Sequence, residues 1–255
     1  MIPFHKYHGT GNDFIIIDNR DGKLFFNKEK IIHLCHRNFG IGADGLMLLE
    51  NSIHTSFKMR YYNSDGNEGS MCGNGGRCIV AFAKKLNIVN NEIIFEAVDG
   101  IHHAEIFNSE IRLKMNDVNG IEKIGNDYYL NTGSPHYVKW VSQLESLDVI
   151  QEGRNIRYNN RFKSLGTNVN FIEQKEDQFL IRTYERGVEN ETLSCGTGNV
   201  AAAIVNSLDK GNGHFSVNLK TKGGELNVTF QKVDAVTFKD VWLKGPAEFV
   251  FEGIC

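Results

Sequence analysis

Two cysteines, Cys72 and Cys195, lie about half of the 255-residue chain apart, and each occupies the same point of the same local pattern. Ahead of Cys72, the run Asn63-Ser-Asp-Gly-Asn-Glu-Gly is turn chemistry. Behind it, Gly-Asn-Gly-Gly leads into Cys78, Ile79, Val80, Ala81, Phe82, Ala83 and Leu86. Around Cys195 the parts return in the same order: Cys-Gly-Thr-Gly, then Asn199-Val-Ala-Ala-Ala-Ile-Val205, with Tyr184 upstream as Tyr62 is upstream of Cys72. A helix apolar on nearly every side must be buried. A repeat this long is too widely spaced for a solenoid array, so it predicts two similar halves. The expected fold is α+β: two pseudo-symmetric domains facing each other, each a mostly antiparallel sheet or barrel wrapped around one apolar helix.

The first domain is expected over residues 1–117 and the second over 118–245, with a last strand near 246–255 able to return to the first. Residues 4–7 and 14–18 read as strands flanking the turn His8-Gly-Thr-Gly-Asn-Asp13. A dinucleotide fingerprint there is disfavoured, because Phe14-Ile-Ile-Ile follows where a helix should. Asn27 is a candidate cap for a helix over 28–37, with Ile31, Ile32, Leu34 and Cys35 inward. Strands follow at 46–50 and 57–63. A hairpin over 92–97 and 102–107 carries Asp99-Gly100, a type I′ signal, and 111–115 adds a strand. Residues 116–125 are polar and read as the boundary loop. In the second half, strands are expected at 128–130, 136–141, 169–173 and 179–184, with a helix over 147–156. Five more strands follow the second cysteine helix, at 215–219, 226–230, 235–239, 241–243 and 248–251.

A net charge of −3 and no basic run give no case for nucleic acid or an anionic membrane surface. No apolar run approaches the ~20 residues that span a bilayer, and the N-terminus lacks the order of a signal peptide. Five irregularly spaced cysteines do not form a secreted disulfide framework. The expectation is a soluble, cytoplasmic protein.

Each of Cys72 and Cys195 should stand at a helix N-terminus, where backbone N–H groups and the positive dipole end favour a thiolate. Cysteines so placed have pKa values lowered from about 8.5 to between about 3.5 and 7.5. Zinc is disfavoured, because Cys72 and Cys78 are too far apart for ligand spacing and no His or Cys lies beside Cys195. A Cys–His hydrolase needs one thiol, not two equivalent ones. A redox pair stays open, and buried inert thiols suffice for Cys35, Cys78 and Cys255. Two-base proton transfer fits the pair best. Inverting a carbon that bears a weakly acidic proton needs one group to remove it and another to deliver one from the opposite face. The helix N-termini would bind the α-carboxylate and the charge that develops on it. This chemistry is an α-amino-acid racemase or epimerase without cofactor or metal.

The residues then match a known pattern. Along nearly its whole length the chain resembles the diaminopimelate epimerase family, through His8-Gly-Thr-Gly-Asn-Asp-Phe14, Gly40-Ile-Gly-Ala-Asp-Gly45, Asn63-Ser-Asp-Gly66, Cys72-Gly-Asn-Gly-Gly-Arg77, Gly133-Ser-Pro-His136, Thr167-Asn-Val-Asn170, Tyr184-Glu-Arg-Gly187 and Cys195-Gly-Thr-Gly198. The resemblance implies interconversion of LL- and meso-2,6-diaminopimelate, on the route to lysine and peptidoglycan cross-links. It implies no pyridoxal phosphate and no metal, an active site between two domains, and a possible homodimer. Carried onto these positions, Cys72 and Cys195 are the acid/base thiols, and His136 and Glu185 tune or activate them. Gly73, Asn74, Gly196 and Thr197 offer helix N-termini to the reacting carboxylate. Asn12, Asn63, Asn168, Glu185 and Arg186 hold the polar ends of a diamino dicarboxylic acid.

Two positions depart from the family pattern: Ser134 stands where many relatives have Asn, and Gly45 where some have Gln. Losing both amides is expected to leave room for waters or a slightly different ligand. The rivals are therefore a histidine or proline-derivative racemase of the same superfamily and a non-catalytic amino acid binding protein. The phenazine-biosynthesis isomerase branch shares the fold but lacks the thiol pair.

Overall fold

A computed structural model describes residues 1–107 and 110–255. The chain divides into two compact units, 1–113 with 245–255, and 114–244.

The first unit opens with an antiparallel hairpin, β1 (Pro3–Gly9) and β2 (Asn12–Asp18), turned at Thr10-Gly11. Helix α1 (Lys28–Cys35) then crosses over to β3 (Gly45–Glu50), which runs parallel to β2. Parallel neighbours need such a crossover. β4 (Phe57–Asn63) returns antiparallel to β3, and the two-residue β5 (Glu68–Gly69) covers its far end. A second crossover, α2 (Gly73–Lys85), leads to β6 (Glu92–Ala97), parallel to β4. β7 (Gly100–Phe107) and β8 (Glu110–Lys114) complete a meander, and β19 (Glu248–Ile254) returns to pair with β1.

The second unit repeats this plan. β11 (Asp127–Asn131) and β12 (Pro135–Trp140) form the hairpin, and α3 (Val149–Arg157) crosses to β13 (Asn168–Lys175), parallel to β12. β14 (Gln178–Glu185) returns, with the short β15 (Asn190–Thr192) on its end. α4 (Gly196–Val205) crosses to β16 (Gly213–Thr221), parallel to β14. β17 (Gly224–Lys232) and β18 (Thr237–Gly245) close the meander, while β10 (Ile121–Ile124) and β9 (Val118–Asn119) extend the sheet beside β11 and β18. Each unit is thus an α+β layer structure with two parallel junctions in an otherwise antiparallel sheet.

The first unit's central strands show why the fold has layers on both faces. Phe14-Ile-Ile-Ile17 and Leu46-Met-Leu-Leu49 are continuous buried runs, as strands covered on both sides require. By strand parity Ile15, Ile17, Leu46 and Leu48 pack on Ile31, Leu34 and Cys35 of α1. Phe14 and Met47 face the first turn of α2 at Gly75 instead. α2 is buried from Gly73 to Val80, and α4 over all but Thr197, so both are core helices.

Local differences from the sequence reading have simple causes. Asn27 caps α1 by accepting from Lys30 N–H at 2.9 Å, but Ile32 points outward, because a helix this short has one inward stripe. The hairpin between β6 and β7 turns at Val98-Asp99, and Gly100 after it takes φ 127°; a type I′ turn would need positive φ at both central residues. The stretch 116–125 contains β9 and β10, whose two and four residues are too few to carry a strand periodicity. The two strands expected at 235–239 and 241–243 are one strand, β18, kinked at Asp240 with φ 52°. No helix among the described residues is long and apolar enough to cross a membrane.

Candidate active site

In each unit the cysteine stands at the same structural point: after the short flap strand, as N-cap of the second crossover helix. Cys72 has extended backbone (φ −100°, ψ 146°) and is half-buried. Its Sγ accepts from Gly75 N–H at 3.1 Å, as an N-cap side chain does. Cys195 is also extended (φ −119°, ψ 114°) and 8% exposed, with no hydrogen bond from its sulfur to the helix backbone. Its Sγ lies 3.6 Å from Thr197 Oγ1 instead.

Around Cys72 the β1–β2 hairpin brings Asn12 in, with its Oδ1 3.9 Å from Sγ. Asn74, buried in the first turn of α2, donates to the same Asn12 oxygen at 3.2 Å. Asn12 in turn donates to Asp44 at 2.7 Å. Asp44 and Asp13 share Arg37, and Asp13 also pairs with the buried Lys6 at 2.7 Å. Burial pushes the Asp13 carboxyl up, but hydrogen bonds from Arg37 and Lys6 outweigh it and hold it at about 2. Asn63 belongs to a separate cluster at the end of β4, where Tyr61 Oη donates to its Oδ1 at 2.9 Å.

Around Cys195 the chain of hydrogen-bonded side chains is neutral. His136 is fully buried on β12. Asn170 Nδ2 donates to its Nδ1 at 3.0 Å and to the Tyr137 carbonyl at 3.2 Å, while Asn170 Oδ1 accepts from Thr183. A carbonyl only accepts, which sets the Asn170 amide orientation and leaves His136 Nδ1 as an acceptor. The ring proton is therefore on Nε2, which donates to Thr197 Oγ1 at 2.9 Å. The result is a chain directed from Asn170 through His136 to Thr197, whose Oγ1 contacts the Cys195 sulfur. Burial, and next the charge of Arg186, pull His136 down to about 3, so it stays neutral in ordinary conditions. Gly198 makes room for this chain: a Cβ there would lie 2.4 Å from Asn170 Oδ1.

The remaining candidates sit at strand ends. Asn168 is buried and bridges the strand ends: its Oδ1 accepts from Arg186 N–H at 2.9 Å and its Nδ2 donates to the Pro135 carbonyl at 3.1 Å. Arg186 is exposed and its guanidinium donates to the Leu165 carbonyl. Glu185 ends β14 and accepts from Thr192 Oγ1 at 2.8 Å. Cys35 and Cys78 are buried, and burial pushes both thiols up, Cys35 to about 11.

Sequence reading did not single out Asn170, although it lies in the quoted 167–170 motif. Nor did it assign roles to Asp44 or Tyr61, whose contacts reach across strands far apart in the chain. At Gly45 the expectation of spare room is corrected. A Cβ there would lie 2.5 Å from Tyr61 Cε2 and 2.6 Å from the Tyr62 carbonyl, so the position is filled by the neighbouring strand.

The family model for diaminopimelate epimerase matches residues 4–120 and 128–250. A diaminopimelate epimerase of Flavobacterium psychrophilum is 52% identical over 98% of this chain and 99% of its own. One of Chlorobaculum tepidum is 45% identical over 96% and 98%. The chain belongs to the diaminopimelate epimerase family. As a member of it, the protein is an isomerase. Among solved structures, a phenazine biosynthesis protein of the PhzF family from Bacillus anthracis has a TM-score of 0.76 at 13% identity, covering 99% of this chain and 98% of that one. A hydroxyproline epimerase from Agrobacterium vitis has a TM-score of 0.69 at 12% identity, covering 99% and 91%. Both likenesses are of fold, and the diaminopimelate epimerase family is set apart here by sequence.

Proposed function

We propose that this diaminopimelate epimerase family member interconverts LL- and meso-2,6-diaminopimelate, with Cys72 and Cys195 exchanging the α-proton. The observation that carries the reading is the matched pair of cysteine N-caps, at the same topological point of two units built to one strand order. Inversion at one carbon consumes a base and an acid of comparable strength, and both must change protonation once per turnover. Two sulfurs at helix N-termini meet that demand. The first turns of α2 and α4 would present the N–H groups of Gly73 and Asn74, and of Gly196 and Thr197, to the reacting carboxylate. Charge developing on it as the proton leaves would be stabilised there. Asn12, Asn63, Asn168, Glu185 and Arg186 supply the amide, acidic and guanidinium groups that a diamino dicarboxylic acid needs at its polar ends.

His136 is assigned a role as a fixed neutral donor. Its Nε2–H holds the Thr197 hydroxyl so that the hydroxyl proton is available to the Cys195 sulfur, which favours the thiolate form after proton transfer.

The test is α-deuterium incorporation in D2O, followed by NMR, with LL-diaminopimelate beside a panel of amino acids including histidine and proline derivatives. Exchange confined to LL-diaminopimelate and its meso product is expected. Exchange confined to another amino acid overturns the substrate, and none at all points to a binding protein. Cys72→Ala and Cys195→Ala should each lower epimerisation by at least about a thousandfold with the fold retained. Full turnover by the double variant would remove both thiols from the mechanism.

A further inference from the structure

The segment Gly40-Ile-Gly-Ala-Asp-Gly45 folds back onto the end of α1 before it enters β3. Gly40 N–H donates to the His36 carbonyl at 2.8 Å, Ile41 N–H to that of Leu34 at 2.9 Å and Ala43 N–H to that of Cys35 at 3.0 Å. Two glycines make this path possible. A Cβ at Gly40 would lie 1.9 Å from the His33 carbonyl oxygen, and Gly42 takes φ 82°. The Gly42 carbonyl also accepts from the buried Lys6. The loop so held sets Asp44 against the β1–β2 turn. There its backbone N–H donates to the Asp13 carbonyl at 3.0 Å, and its own carbonyl accepts from Ser64 N–H at 3.1 Å.

The Asp44 carboxylate meets three donors: Asn12 Nδ2 at 2.7 Å, the Arg37 guanidinium at 2.7 Å and Asp13 N–H at 3.3 Å. An ionised carboxylate only accepts. Asn12 therefore turns its nitrogen to Asp44 and its oxygen the other way, to Asn74 Nδ2 at 3.2 Å and the Cys72 sulfur at 3.9 Å. The far end of the pair agrees. The Arg77 guanidinium only donates and takes Asn74 Oδ1 at 3.0 Å, so Asn74 offers its nitrogen to Asn12. An acceptor-only group at one end and a donor-only group at the other give the two amides a single arrangement. The fold by itself does not call for a carboxylate here. At the same place ahead of β13 stands the buried, neutral Thr167, whose hydroxyl contacts the Pro135 carbonyl at 3.3 Å.

We infer that Asp44 is a positioning residue for the Cys72 half of the reaction: it fixes Asn12 with its oxygen toward the sulfur. The inference rests on the two-thiol reading above. Asp44 acts through Asn12, and the Gly40–Gly45 loop exists to bring it there. Without the carboxylate, water takes its place, and water donates as readily as it accepts. Asn12 then loses one of the two constraints on its orientation.

A double-mutant cycle separates this role from that of merely holding the loop. Steady-state epimerisation is measured for the wild type, Asn12→Ala, Asp44→Ala and the double variant. With Asn12 present, Asp44→Ala is expected to lower kcat by roughly five- to tenfold and to change KM by less than about twofold. With Asn12 already replaced, the same change should lower kcat by less than about twofold. Equal falls in both backgrounds overturn the inference, as does an effect confined to KM or no effect at all. A second readout needs no substrate. In protein labelled with [15N]asparagine, the Asn12 side-chain amide is assigned by its loss in Asn12→Ala. Its protons should be protected from exchange with water in the wild type and lose that protection in Asp44→Ala, and unchanged exchange overturns the inference. Should Asp44→Ala not fold, Asp44→Ser, whose side chain is too short to reach Asn12, takes its place in both measurements. The epimerase reading is decided separately, by α-deuterium exchange in the wild-type protein. Its failure is therefore distinct from an additive cycle or an unmoved amide.

Discussion

The helix that begins at Cys72 and the helix that begins at Cys195 are the same device set in two different electrical surroundings. The Cys72 side is charged: a buried guanidinium in α2, and a linked set of Lys6, Asp13, Arg37 and Asp44 behind Asn12. On the Cys195 side the hydrogen-bonded chain is itself neutral, running from Asn170 through His136 to Thr197, with the Arg186 charge acting on His136. Both cysteines are N-caps, but the Cys72 sulfur accepts from Gly75 N–H and the Cys195 sulfur makes no such cap bond. A second difference lies in what stands around each first turn, an ion-pair set in one unit and a chain of neutral hydrogen-bonding groups in the other. Duplication supplies the two helix-capping cysteines, and the groups around them have since diverged.

The largest effect that probes this contrast is at Thr197. Its hydroxyl is the link between the His136 ring and the Cys195 sulfur. Thr197→Val keeps the shape and removes the link. Epimerisation should fall by roughly ten- to a hundredfold, with the pH midpoint for iodoacetamide labelling of Cys195 raised and that of Cys72 unmoved. A shift at both sulfurs would mean that the two surroundings are not independent.

Next in size is a stability effect at His136. Its folded pKa lies near 3, well below the unfolded value of about 6.5. Between those values the unfolded chain binds a proton that the native one does not, so stability is lost as pH falls from about 6.5. The slope is up to about 1.4 kcal/mol per pH unit. His136→Gln can still donate to Thr197 and accept from Asn170 but does not titrate. Urea titrations at pH 6.5 and 5 should show the wild-type protein losing about 1–2 kcal/mol more than the variant. Equal losses would mean that His136 is not held neutral.

Much of this was legible in the residues and some was not, for physical reasons. Cysteine N-caps, buried helices and the doubled plan follow from Cys-Gly-x-Gly leading into an all-apolar segment, because burial and capping are local demands. The hairpin of β6 and β7 was legible but its turn type was not, because the glycine that takes positive φ comes after the Val98-Asp99 turn rather than inside it. β9 and β10 were not legible because two- and four-residue strands are made by their partners. The His136 relay escaped because its direction depends on Asn170, which β13 places beside β12 through a parallel pairing, His136 with Asn168, that periodicity does not reveal.

The smallest expected effect separates the two surroundings by pH. Asp13, 17% exposed, is held at about 2 by Arg37 and Lys6, against an unfolded value near 3.9. A depressed carboxyl contributes stability that is complete above the unfolded value and lost as pH falls through the folded one. The first unit's ion-pair set therefore gives way only below about pH 4, and is worth up to about 2 kcal/mol. The second unit begins to lose stability near pH 6.5 through His136, which burial pulls much further down than it pulls His5 in the first unit. Both tryptophans, Trp140 and Trp242, lie in residues 114–244, so their fluorescence reports the second unit alone. Acid titration followed by tryptophan fluorescence should show its change beginning at higher pH than the loss of hydrogen-exchange protection in β2 and β3. In Asp13→Asn the first unit's protection should already be weaker at pH 7, because Lys6 is left buried without its counter-charge, while the onset of the fluorescence change stays where it was. Coincident transitions in the wild-type protein would mean that the units unfold together and that their separate electrical designs do not divide the molecule's stability.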